Sequence, residues 1–86
     1  MAPMRFLVTA LRTPAFDPAV LAPHRAYLDA LRARGSLELA GPFADRSGGA
    51  YVLRADSLEQ ARALVAADPL AASGSALVDV REWTAA

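Results

Sequence analysis

The sequence predicts an α+β domain of ferredoxin-like type, with a four-stranded antiparallel sheet and two helices on one of its faces. Three observations carry this expectation. Four separate segments show the alternation of apolar residues expected of strands. Two other segments repeat apolar residues at helical spacing instead. Their order along the chain is strand, helix, strand, strand, helix, strand, which is the split β-α-β arrangement.

The first strand spans Met4 to Leu11, "MRFLVTAL", with Phe6, Val8 and Ala10 on one face and Leu7, Thr9 and Leu11 on the other. Both faces are mostly apolar, as in a central strand covered on both sides. A connection follows that contains Pro14, Pro18 and Pro23, and within it Asp17-Pro18 suits a short capped turn. The first helix opens near Pro23, where a missing N–H is not needed. It carries His24, Tyr27, Leu28 and Leu31 on one stripe and ends at Gly35. "SLELAGPF" is the second strand, with Leu37 and Leu39 on one face, closed by Gly41-Pro42. "ADRSGG" is a loop, and "AYVLRA" from Ala50 is the third strand.

Ser57 caps the second helix, and Gln60 three residues on completes a capping box. Leu58, Ala61, Leu64 and Val65 make the buried stripe, and the helix stops before Pro69. "PLAASG" permits one more short turn ending at Gly74. "ALVDVREW" is the last strand, with Trp83 near its end. With both helices on one face, the other face of the sheet would be bare, and a second copy of the chain is its simplest cover. A homodimer is therefore expected.

The chain has 86 residues, enough for one domain over positions 1–86, and 55% of them are apolar. Nine basic residues, all arginine, balance nine acidic ones and are scattered singly, which argues against a nucleic-acid partner. There is no cysteine, which excludes thiol catalysis and disulfides and fits a cytoplasmic protein. No segment approaches the roughly 20 apolar residues of a membrane span. The apolar run between Arg5 and Arg12 is short for a secretory leader. One histidine with scattered carboxylates makes a metal site unexpected, and no phosphate-binding glycine motif or other cofactor signature is present.

The lone histidine is the focus of any chemistry. His24 lies in the first turn of a helix, on its apolar side. The partial positive charge of a helix N-terminus, about half an electronic charge, favours the neutral imidazole that a general base needs. The plainer alternative is a histidine packed at the rim of the core. Asp68 is the carboxylate best suited to orient it. Asp68-Pro69 also reads as a helix cap, and the two roles are compatible if one oxygen caps while the other reaches the ring. In this topology the contact requires the Asp68 segment to fold back, or a second subunit. Gly41, Pro42 and Phe43 are candidate pocket walls, Arg46 and Ser47 are candidate ligand-binding groups on a loop, and Tyr27 shares the His24 face.

Taken together, "PHRAYLDALRARGSLELAGPF", "GGAYVLRADSLEQARALVAADPLAASG" and a final strand ending in "REW" resemble the YCII-related (YciI-like) proteins. The resemblance runs from Arg5 to Trp83, and its marks are the helix-opening histidine, the Gly-Pro and the Asp-Pro. It implies a ferredoxin-like fold assembled as a dimeric α/β barrel, with an active site centred on His24 and Asp68 in one cleft. One related branch dehydrochlorinates a chlorinated hydroxyhydroquinone, and the wider barrel superfamily includes muconolactone isomerases and small monooxygenases.

Two functions are therefore expected. The first is a cofactor-independent lyase- or isomerase-type enzyme that acts on a small hydroxylated or aromatic compound through a His24/Asp68 acid–base pair. The second is a non-catalytic dimeric ligand-binding or accessory module.

Overall fold

The computed structural model describes residues 4–86. Four strands, β1 (Met4–Arg12), β2 (Leu37–Pro42), β3 (Gly48–Ala55) and β4 (Ala76–Glu82), form one antiparallel sheet in the order β2-β3-β1-β4. Helices α1 (Leu21–Ala33), α2 (Leu58–Ala66) and the short α3 (Pro69–Ala72) complete the fold. This is the ferredoxin-like arrangement that the order of elements predicts.

The local signals act as their chemistry requires. Asp17 caps a single 3-10 turn at Pro18–Val20, accepting from the Ala19 N–H at 2.9 Å. That turn leads directly into α1, which begins at Leu21, two residues before Pro23. Gly35 and Gly74 leave their helices with φ of 76° and 73°, a conformation that disfavours a side chain. Ser57 Oγ accepts from the Gln60 N–H at 3.0 Å. Gln60 Oε1 accepts in turn from the Asp56 N–H, one residue earlier than a capping box places the bond.

The core lies between the helices and one face of the sheet. Phe6, Val8, Leu31, Leu37, Tyr51, Leu53, Ala61 and Val65 are buried together there. A second buried group, Ala10, Val20, Leu70 and Ala76, lies at the opposite end of the same face. The alternation in β1 is as expected, with Phe6, Val8 and Ala10 turned inward.

Strand β2 departs from the simple alternation. Leu37 pairs with Leu53 but Leu39 pairs with Val52, so two steps on β2 oppose one on β3, a bulge at Glu38. Leu37 is buried, whereas Leu39 is 63% exposed on the other face. Beyond the bulge, Ala40 and Pro42 take the inward positions opposite Tyr51 and Gly49.

The face away from the helices is less apolar than the strand pattern suggests. Leu7, Leu11, Leu39, Val52 and Leu77 lie on it, but so do Asp79 and Arg81, which pair at 2.7 Å. Glu38 also lies between Arg5 and Arg54 at 3.1 and 3.6 Å. The charges arise because side chains at the outer positions of β4 and at the ends of β1 and β3 are not enclosed by the helices.

Candidate active site

The inward-facing row of β1 tapers and then ends in a charge: Phe6, Val8, Ala10, Arg12. The neighbouring row of β3, Leu53, Tyr51 and Gly49, loses its side chain at the same end. Large side chains at one end make the core. Small ones at the other end leave a cleft of about 410 Å³ between the sheet and α1. Its floor includes Ala10, Ala40, Gly49 and Ala76, and its α1 wall carries Leu21, His24, Arg25, Leu28 and Arg32.

His24 and Asp68 meet at this cleft. Ala67 ends α2, and the chain then turns so that α3 packs back against α1. His24 Nδ1 and Asp68 Oδ1 are 2.8 Å apart within a single chain. The fold-back route is therefore the one taken, and no second subunit is needed for the contact.

Asp68 is fully buried, and each of its oxygens is used. Oδ1 accepts from the Leu70 N–H at 2.9 Å, capping α3, as well as from the imidazole. The sequence suggests that the cap and the imidazole use different oxygens; here they share Oδ1. Sharing leaves Oδ2 free to accept from the Tyr51 hydroxyl at 2.8 Å.

A carboxylate that accepts at Nδ1 places the neutral ring's proton on that nitrogen. Nε2 then carries the lone pair. Among the described residues no group hydrogen-bonds to Nε2, and the His24 side chain retains 15% exposure in the wall of the cleft. The arrangement can take a proton at Nε2, hold the resulting imidazolium against a buried carboxylate, and return the proton.

Two tyrosines back the pair. Tyr27 donates to the Leu64 carbonyl at 2.9 Å, and its ring lies 6.3 Å from the His24 ring with an interplanar angle of 23°. The Tyr27 and Tyr51 hydroxyls are 3.4 Å apart, each with its proton already committed elsewhere. Burial raises both phenols above their ordinary value. At Tyr51 the neighbouring Tyr27 hydroxyl and the Asp68 charge push the same way. Both therefore stay neutral donors.

The other expected site residues divide. Gly41 and Pro42 line the cleft. Tyr27 does not, and instead braces His24 and Tyr51 from behind. Phe43, Arg46 and Ser47 are also outside the lining. They belong to the β2–β3 loop, in which Asp45 accepts from the Ser47 N–H at 2.9 Å and its hydroxyl at 2.6 Å, which holds the Asp45 carboxyl below the usual range. Arg46 occupies the turn with φ of 63°.

Sequence reasoning missed Tyr51, Arg12, Phe16 and Leu21. Tyr51 reads as core in an apolar strand, although the two-residue period puts it on the same face as Gly49. Arg12 reads as a strand boundary, although it continues the inward row of Phe6, Val8 and Ala10.

A ferredoxin-like α+β protein with a histidine, held by a buried aspartate, in the wall of a cleft is thus defined. The chain belongs to the YCII-related domain family, whose model matches residues 4–84. The uncharacterized protein YjpA of Bacillus subtilis (strain 168) is 46% identical over 78 residues, 91% of this chain and 92% of that relative.

Two solved structures share the fold. One is 5-chloro-2-hydroxyhydroquinone dehydrochlorinase (TftG) from Burkholderia phenoliruptrix AC1100, in complex with 2,5-dihydroxybenzoquinone. It matches with a TM-score of 0.75 over 96% of both chains at 23% identity. The other is muconolactone isomerase, at a TM-score of 0.73 and 19% identity over 96% of this chain and 91% of that one. At such identities the likeness establishes the fold alone.

Proposed function

We propose that this protein is a small-molecule enzyme of lyase or isomerase type, in which His24 is the general acid–base and Asp68 positions it. The observation that carries this reading is the 2.8 Å contact between Nδ1 and a fully buried carboxylate, with Nε2 left at a cleft wall. In the proposed cycle Nε2 removes a proton from a C–H or O–H of the substrate and becomes an imidazolium. It then delivers that proton to another substrate carbon, completing an isomerisation, or to a departing group, completing an elimination. Positioned proton transfer of this kind contributes about 10²–10⁴-fold. The two fold relatives, a dehydrochlorinase and a muconolactone isomerase, support small hydroxylated or unsaturated ring compounds as the substrate class.

The enzyme is proposed to work as a homodimer through the sheet face opposite the helices, where Leu39 and Leu77 stand 63% and 72% exposed. Among the described residues no helix is long and apolar enough to cross a membrane. A cysteine-free chain without a basic patch fits a cytoplasmic enzyme with no nucleic-acid partner. One observation favours a second reading, a non-catalytic binding or accessory module: Asp68 also caps α3 and anchors Tyr51, so the network has structural work independent of catalysis.

The test combines nitrogen-15 spectra of the single histidine with His24→Ala. The enzyme reading expects the neutral ring to carry its proton on Nδ1, with that preference relaxed in Asp68→Asn. It also expects His24→Ala to lose turnover on a screened ring substrate, at a stability cost of about 1–3 kcal/mol for the donor removed from the buried carboxylate. A His24→Ala protein that is unstable yet still turns the substrate over would sink this reading.

A further inference from the structure

The cleft carries more positive charge than proton transfer uses. Arg12, Arg25 and Arg32 line it against one exposed carboxylate, Asp29. Arg32 is paired with Asp29 at 3.1 Å. Arg12 and Arg25 have no carboxylate partner among the described residues.

Arg12 is further distinguished by its place and its support. It ends the inward row of β1, next to floor positions Ala10 and Ala76 whose side chains are single methyl groups. Its guanidinium carbon lies 4.2 Å from the centroid of the Phe16 ring, which also lines the cleft. Stacking on a ring face steadies a guanidinium and leaves the N–H donors at its edge available, a geometry matched to a carboxylate. Behind His24 sits the buried Asp68 carboxylate, which disfavours a second anion there.

We infer that the cleft takes a small planar carboxylate, with its anionic group held by Arg12 and its reacting end turned toward His24. This deepens the reading of the cleft as a His24 proton-transfer site and rests on it for the word substrate. It names the class of molecule, a conjugated or aromatic carboxylic acid, and assigns Arg12 as the anchor that sets it.

The test uses benzoate and benzamide, equal in size and different in charge, with the His24 ring resonances as reporter. In the wild type, benzoate shifts the His24 signals saturably in the millimolar range expected of a fragment. Benzamide binds about tenfold more weakly. In Arg12→Gln, benzoate falls to the level of benzamide while benzamide is unchanged, and Arg12→Lys recovers part of the difference. The inference is overturned if the wild type binds the two probes equally, if benzoate does not bind, or if Arg12→Gln retains wild-type benzoate affinity. The first two outcomes need no variant to fold. None of them disturbs the Nδ1 measurement, so failure here is separable from failure of the His24 reading.

Discussion

The Tyr51 hydroxyl donates to Asp68 Oδ2 at 2.8 Å, across 17 positions of sequence and in a fully buried setting. The carboxylate is thereby held from three sides, by a helix-capping N–H, a phenol and an imidazole. Removing any one donor leaves part of a buried charge uncompensated, and this asymmetry makes the network testable.

Tyr51→Phe keeps the ring packing and deletes one donor. Urea unfolding should show a loss of about 1–3 kcal/mol, the range for a hydrogen bond to a charged group. The same variant should alter alkaline behaviour. Both tyrosines are raised in the folded protein above the ordinary value of 10.0, because burial opposes phenolate formation. A raised folded value means that the protonated phenols' contribution is complete below about pH 10 and is lost as pH rises beyond it. These are the only two tyrosines in the chain. Tyrosinate absorbance should therefore appear together with loss of circular dichroism above that pH, and in Tyr51→Phe the alkaline loss should shrink. Tyrosinate forming in a still-folded wild type would contradict the buried network.

Gly48 sets how closely β3 approaches β1 at the cleft. A Cβ there would lie 1.9 Å from the Ala10 carbonyl oxygen, a backbone atom that cannot move aside without parting the strands. Gly48→Ala should destabilise the fold by about 1–3 kcal/mol, read from the denaturant midpoint. Gly41→Ala, with nothing within 4 Å of the added atom, should be close to neutral.

The open sheet face predicts a concentration-dependent assembly. Light scattering should give a dimer mass at micromolar concentration, and Leu39→Glu with Leu77→Glu should give a monomer, because both leucines stand exposed on that face. A monomeric wild type would remove the proposed interface while leaving the intrachain His24–Asp68 contact in place.

Much of this fold is legible in the sequence because its signals are local. Asp17, Ser57 and Asp68 each cap the helical turn they precede, and Gly35 and Gly74 each close one. The His24–Asp68 partnership is a different matter. The residues stand 44 positions apart, and the family resemblance, with no spacing rule, links them. Tyr51 escaped because a phenol among apolar strand residues looks like packing until its partner is known. Strict alternation puts Leu39 on the face of Leu37 because it cannot register a bulge, and Ser47 reads as available because its bonds to Asp45 follow from a turn that composition does not specify.

That bulge has a bearing on the cleft itself. Had strict alternation run on from Leu37 with Glu38 paired in register and no bulge, Leu39 would hold the inward position opposite Tyr51 that Ala40 now holds, and an isobutyl group would occupy the space in the cleft. The cavity is in this sense a phase slip made permanent. A leucine in place of Ala40 would fill it in the same way while every residue of the His24–Asp68–Tyr51 network stayed unchanged, and a chain with the full set of active-site side chains could still have no room for a substrate.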